Sequence, residues 1–168
     1  MSEPDVRERP PLAGPGAPAR NVLFVCSNGG HLAQLLALQP WYRHQRRTWV
    51  TFDQPDAVSR LQDESVVFAH HPTTRNVPNL LRNAVLAWRT LRRVRPDLLV
   101  SSGAGVAVPF FVLGRLLGIP TVYIEVLDRV NSRTLTGRLV GPFTTSFLVQ
   151  WEAQLRLYPK GTVLGRLL

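Results

Sequence analysis

Ser27-Asn28-Gly29-Gly30-His31 closes a run of β-forming residues, NVLFVC, and opens an apolar stretch, LAQLLALQPWY. Paired glycines at such a junction permit a positive φ and let backbone N–H groups approach a phosphate at a helix start. A strand-to-helix turn that simply required glycine fits the same residues. His31 titrates near neutrality and could take a proton from an attacking hydroxyl. A capping or packing histidine is the alternative. The spacing is neither the dinucleotide GxGxxG nor a P-loop, which would carry a lysine.

Ser101-Ser102-Gly103-Ala104-Gly105 repeats this arrangement after another apolar run. Its backbone and hydroxyl donors suit an anionic group, and a capped tight turn fits equally. Glu125 ends an apolar segment with Asp128 and Arg129 close behind. Its carboxylate could bind sugar hydroxyls or form a salt bridge with Arg129. Gln150-Trp151-Glu152 makes a polar, aromatic, acidic step at the end of another apolar run, as a partner or ligand edge or as a capped chain reversal. His44, His70 and His71 show no metal-ligand spacing with cysteines or acids, so no metal site is expected. No G-x-S-x-G elbow is present.

The elements that must position these residues alternate. Strands are expected at Asn21–Cys26, Thr48–Phe52, Ser65–His70, Leu98–Ser101, Thr121–Glu125, Ser146–Val149 and Thr162–Leu164. Helices are expected at His31–Tyr42, Pro55–Glu64 with Asp53 as N-cap, Pro78–Val94, Val106–Leu117, Leu135–Val140 and Gln150–Leu157. Continuous apolar strands alternating with helices predict an α/β fold, a Rossmann-like parallel sheet with helices on both faces. Ligands gather at the carboxyl ends of such strands. Ser27–His31, Ser101–Gly105 and Glu125–Arg129 all fall there.

The 168 residues are enough for one domain with a hydrophobic core. Residues 1–20, rich in Pro, Gly and Ala, read as a disordered leader, leaving a single domain over 21–168. One cysteine, Cys26, excludes an internal disulfide and fits a reducing compartment. The net charge of +9, with Lys160 the only lysine, fits either an anionic partner or a genomic base composition that inflates arginine. The apolar run from Gly103 to Leu127 is interrupted by Pro109, Gly114, Arg115, Gly118 and Pro120, and reads as a buried helix and strand rather than a membrane span.

Arg75 to Arg95 holds six arginines and no acid. At about 100° per residue, Leu80, Ala84, Ala87, Leu91 and Val94 share one helix face, and Leu81, Val85 and Trp88 widen it. Arg82, Arg89 and Arg93 line up opposite. The helix therefore either buries its apolar arc against the sheet or lies on anionic lipid, with Trp88 at the edge and the arginines on head groups. No nucleic-acid motif occurs and no aromatics interleave with the arginines, so no nucleic-acid partner is expected.

Together, "SNGGHL", "SSGAGVAVPFF", "YIEVLDRVNSRTLTGRL" and "VQWEAQLRLYP" resemble the oligosaccharide-biosynthesis proteins of the Alg-fourteen/PssD type. The resemblance covers nearly all of Asn21–Leu168. It implies the amino-terminal, acceptor-side half of a GT-B glycosyltransferase of the MurG kind. A separate partner chain would supply the carboxyl-terminal half that holds a UDP-sugar, UDP-N-acetylglucosamine or a relative. The pair would glycosylate a polyprenyl-diphosphate-linked acceptor at the cytoplasmic face of a membrane, with no metal and no cofactor.

On that resemblance His31 or Glu125 would assist deprotonation. Ser27, Asn28, Gly29, Gly30, Ser102, Gly103, Gly105 and Arg129 would hold the acceptor and its diphosphate. Gln150 and Trp151 match a family signature, and Arg82, Trp88, Arg89 and Arg93 are the membrane-facing candidates. A non-catalytic membrane scaffold that recruits a catalytic partner is the alternative, and a free nucleotide-binding α/β protein a third. Asn28 and Val126 depart from the family pattern, which points to a bacterial exopolysaccharide or capsule branch. The amino-terminal anchor of the eukaryotic members is not expected in residues 1–20. The resemblance also predicts that the chain stops where a GT-B enzyme enters its second domain.

Overall fold

A computed structural model describes residues 19–74, 76–129 and 131–168. The expected leader falls almost wholly outside them, as does Arg75. Seven strands form one sheet: β1 (Asn21–Val25), β2 (Arg46–Phe52), β3 (Val66–Ala69), β4 (Leu98–Ser101), β5 (Thr121–Ile124), β6 (Ser146–Val149) and β7 (Thr162–Val163). Their order is β3-β2-β1-β4-β5-β6-β7, and every neighbouring pair is parallel. The expected Rossmann-like architecture is present.

Side chains alternate through the sheet, so each strand feeds two cores. On one face Val22, Phe24 and Trp49 pack with Leu32, Leu35, Tyr42 and Ala57, from α1 (Gly30–Leu36), α2 (Gln39–Tyr42) and α3 (Pro55–Arg60). On the other face Leu23, Val25, Val50 and Leu99 pack with Ala87, Leu91, Phe110, Phe111 and Val140, from α4 (Val77–Val94), α5 (Ala107–Leu116) and α6 (Leu135–Val140). On this second face α5 lies between α4 and α6.

Three elements differ from expectation for local reasons. The helix expected over His31–Tyr42 is two helices, because Pro40 stands in the first turn of α2 and cannot continue the hydrogen bonds of α1. The N-cap of α3 is Gln54, not Asp53. Gln150–Leu157 contains only a short 3-10 helix, Glu152–Arg156.

The rotation of α4 divides the two arrangements left open for it. Its buried side carries Asn79, Asn83, Ala87, Thr90 and Leu91, while Val77, Leu80, Leu81, Val85 and Trp88 stay exposed. The cause is backbone satisfaction. Asn83 Oδ1 accepts from His70 N at 2.9 Å and its Nδ2 donates to His70 O at 2.8 Å; Asn79 Nδ2 donates to Pro72 O at 2.9 Å. These bonds give the backbone of the chain leaving β3 the partners that no neighbouring strand supplies there. The apolar arc is therefore split: Ala87 and Leu91 pack on the sheet, while Leu80, Leu81, Val85 and Trp88 stay in solvent with Arg82, Arg89 and Arg93 beside them. Among the described residues, no helix is long and apolar enough to cross a membrane.

Candidate functional site

The order β3-β2-β1-β4 places the sheet's switch point between β1 and β4, where successive crossovers diverge and leave a crevice. The two glycine loops meet there. His31 Nδ1 lies 2.8 Å from Ser102 O, and Ser102 Oγ donates to His31 O at 2.8 Å. A carbonyl can only accept, so Nδ1 carries the hydrogen and Nε2 keeps its lone pair. Nε2 has no hydrogen-bond partner among the described residues. Burial lowers the His31 pKa below its ordinary value, against the opposing pull of Ser102 O, Asp128 and Glu125. A half-buried, neutral imidazole with one free lone pair is suited to accepting a proton.

Gly103 makes this approach possible. Its φ is +119°, and a Cβ there would lie 3.0 Å from His31 Cε1 and 3.1 Å from the Tyr123 hydroxyl. At Gly105 a Cβ would lie 3.0 Å from Thr73 Cβ, so this glycine admits the segment that follows β3.

Several candidates are occupied internally. The Gly29 N–H donates to Asp56 Oδ2 at 2.7 Å, and Asn28 Nδ2 to Asp56 Oδ1 at 3.3 Å. The Gly29 N–H in turn holds the Asp56 carboxyl below its usual range. Ser102 is fully buried with its hydroxyl on His31 O, and Gly103 N donates to Ser101 Oγ at 3.0 Å. Ser102, Gly103 and Gly29 thus build the loops and do not offer these donors to an anion. Ser27, Asn28, His31 and Gly105 line the cleft, and Gly30 is exposed at the start of α1. Cys26 is buried, which pushes its thiol up to about 12 and removes it as a nucleophile.

Glu125 is also fully buried. Its carboxylate accepts from Thr134 Oγ1 at 3.0 and 3.1 Å and from Val126 N at 3.0 Å. Thr134 Oγ1 in turn caps α6 by accepting from Gly137 N at 3.0 Å. With no exposed atom, Glu125 cannot touch a substrate here; it anchors α6. No Glu125–Arg129 ion pair forms among the described residues, and Arg129 is exposed.

Gln150 is likewise no edge. It is 2 % exposed, and its Nε2 donates to Glu125 O at 2.9 Å. Trp151 Nε1 donates to Leu127 O at 2.9 Å. Gln154 Nε2 donates to Val126 O at 2.8 Å and Arg129 O at 3.0 Å. The "VQWEAQ" turn therefore braces the loop after β5 through four of its carbonyls. Sequence reasoning missed Asp56, Thr134 and Gln154. Thr134 had a readable signal, a threonine directly before the α6 pattern.

The cleft over the switch point has a volume of about 1020 Å³. Ser27, Asn28 and His31 form its polar end. Val77 and Leu80 of α4 form one side, Leu135 and Leu139 of α6 the other, with Val108 of α5 between.

Comparison with known proteins bears on this arrangement. A protein named UDP-N-acetylglucosamine transferase subunit ALG14 from Rattus norvegicus is 28% identical over 177 residues, covering 87% of this chain and 82% of that protein. The Homo sapiens protein of the same name is 36% identical over 93 residues, 52% of this chain and 43% of that one. Among solved structures, Acinetobacter baumannii MurG superposes with a TM-score of 0.65 at 19% identity, over 80% of this chain and 42% of MurG. The S. aureus MnaA-UDP co-structure gives a TM-score of 0.65 at 12% identity, over 88% of this chain and 44% of that one. At these identities the structural likeness establishes the fold: that of the amino-terminal domain of GT-B glycosyltransferases. The chain spans less than half of either structure.

The named relatives are eukaryotic and do not support the bacterial exopolysaccharide setting that Asn28 and Val126 suggested. Both residues have structural work here, Asn28 on Asp56 and Val126 in the buried wall. The profile described as "Oligosaccharide biosynthesis protein Alg14 like" matches residues 22–167, and the chain belongs to that Alg14-like family.

Proposed function

We propose that this chain is the acceptor-side subunit of a two-component UDP-sugar glycosyltransferase acting on a polyprenyl-diphosphate-linked glycan. The observation that carries the reading is His31 Nε2, a lone pair with no partner among the described residues, on a cleft at the switch point of a GT-B half. The donor, UDP-N-acetylglucosamine by analogy with the relatives' name, is brought by a partner chain with the other GT-B half. An acceptor hydroxyl attacks the anomeric carbon, the bond to UDP breaks, and His31 Nε2 takes the hydroxyl proton. Ser102 O orients the ring through Nδ1–H. No metal or cofactor is invoked. The exposed apolar arc of α4, with Arg82, Arg89 and Arg93 beside it, faces the cytoplasmic leaflet and keeps the cleft at the lipid surface.

The test is sugar transfer by the chain reconstituted with its donor-binding partner. His31→Ala should lower kcat about 10²- to 10⁴-fold, the usual worth of a positioned base, with partner binding kept. Because burial lowers the His31 pKa, its charged form is populated only below the ordinary histidine range. Wild-type kcat/KM should therefore hold steady as pH falls through about 6.5 and drop only at lower pH. Near-normal turnover in His31→Ala would favour the second reading, a non-catalytic scaffold. That reading draws on the inward engagement of Glu125, Ser102 and Gly29.

A further inference from the structure

We propose that the cleft between α4 and α6 is a subsite for the first isoprene units of the acceptor's tail, so that the chain draws part of the lipid out of the bilayer. The inference rests on the proposed acceptor and adds to it the part of that molecule the protein grips.

Three observations carry it. The first is a change of chemistry along one cleft: His31 and Asn28 at one end, Val77, Leu80, Leu135 and Leu139 at the other. Those four are 63 %, 42 %, 69 % and 47 % exposed, on two helices that face each other across α5. Exposed leucines scattered over a surface are ordinary, but a facing set around one groove marks a binding surface.

The second observation is continuity. Val77 and Leu80 line the cleft and also begin the apolar arc that runs on through Leu81, Val85 and Trp88. Arg82, Arg89 and Arg93 project to another side of the helix. An apolar chain can thus pass from His31 along Val77 and Leu80 to Leu81 and Val85, short of Trp88, whose ring Arg92 covers at 5.0 Å.

The third is the charge and size of the lining. Among the described residues no Arg, Lys, Asp or Glu lines the cleft. From these described residues a diphosphate meets hydroxyl, amide and imidazole groups, whereas Val77, Leu80, Leu135 and Leu139 offer apolar burial to a tail. The volume of about 1020 Å³ sits at the upper end of ordinary small-molecule sites, more than a head group fills.

The probes are inorganic pyrophosphate and isopentenyl, geranyl and farnesyl diphosphates, titrated calorimetrically into the full chain without detergent or vesicles. Affinity should rise at least tenfold from isopentenyl to geranyl diphosphate, a step that five newly buried carbons exceed on transfer scales. Leu139→Glu, at a position already exposed, should abolish that rise. Val85→Glu, on the arc outside the cleft, should leave it intact. Affinity independent of tail length, or a Leu139→Glu chain that still prefers the longer tail, would overturn the subsite. The proposed function fails separately: a tail-length effect with no sugar transfer by the reconstituted pair would retain the subsite and reject the transferase role.

Discussion

Gly137 shows how tightly single residues are fitted beneath the cleft. A Cβ built there would lie 2.6 Å from Glu125 Oε2 and 2.8 Å from both Thr134 Oγ1 and the Tyr158 hydroxyl. These atoms hold one another: Thr134 N donates to Tyr158 Oη at 3.2 Å, and Thr134 Oγ1 to the carboxylate. Burial and the adjacent carboxylate push the Tyr158 hydroxyl up to about 12. Gly137→Ala cannot be relieved by one side chain swinging away. It should cost about 1–3 kcal/mol, read from the midpoint of urea unfolding at unchanged m-value. The glycines of both loops were legible as positions needing special backbone freedom. The role of Glu125 was not, because a carboxylate at a strand end reads the same whether it points to solvent or to a threonine nine residues on.

At the scale of elements, the strands and most helices were legible because apolar periodicity reports burial directly. The orientation of α4 was not. Its apolar arc could meet sheet or solvent, and it meets both: Ala87 and Leu91 reach the core, while Asn79 and Asn83 face inward beside them to pair with backbone at 70–72. A pattern of polarity shows that a helix has two faces, not which neighbour each one meets. The brace at 150–154 carries the same lesson, since its glutamines act on carbonyls far away in sequence. Gln154→Ala would strip Arg129 O of its Gln154 donor, leave Val126 O with only the 3.5 Å contact from Arg129 N, and leave the N–H groups of Gln150 and Trp151 without Gln154 Oε1. It should cost about 2–3 kcal/mol. In hydrogen exchange, amides at 126–129 should lose protection before those of β1 do.

For the whole molecule, charge and exposed apolar area act together. A net charge of +9 attracts anionic surfaces over a Debye length that shrinks with salt, whereas apolar insertion persists. Binding to vesicles containing phosphatidylserine should weaken as salt rises but not vanish. Arg89→Gln with Arg93→Gln should flatten the salt dependence, and Val85→Glu should lower binding at every salt concentration. Sedimentation with vesicles distinguishes the two effects. Equal binding by Val85→Glu and wild type would remove α4 from the membrane surface.

The strand order also has a consequence for how the protein is made. β1 is an inner strand whose two neighbours are β2 and β4, and β4 ends at Ser101. As the chain leaves the ribosome, one edge of β1 stays unpaired until about eighty further residues have been synthesised. His31 waits as long, since its ring partner Ser102 is the residue after β4. A nascent chain halted before that point exposes Val22 and Phe24 along an open edge, the kind of surface that chaperones meet.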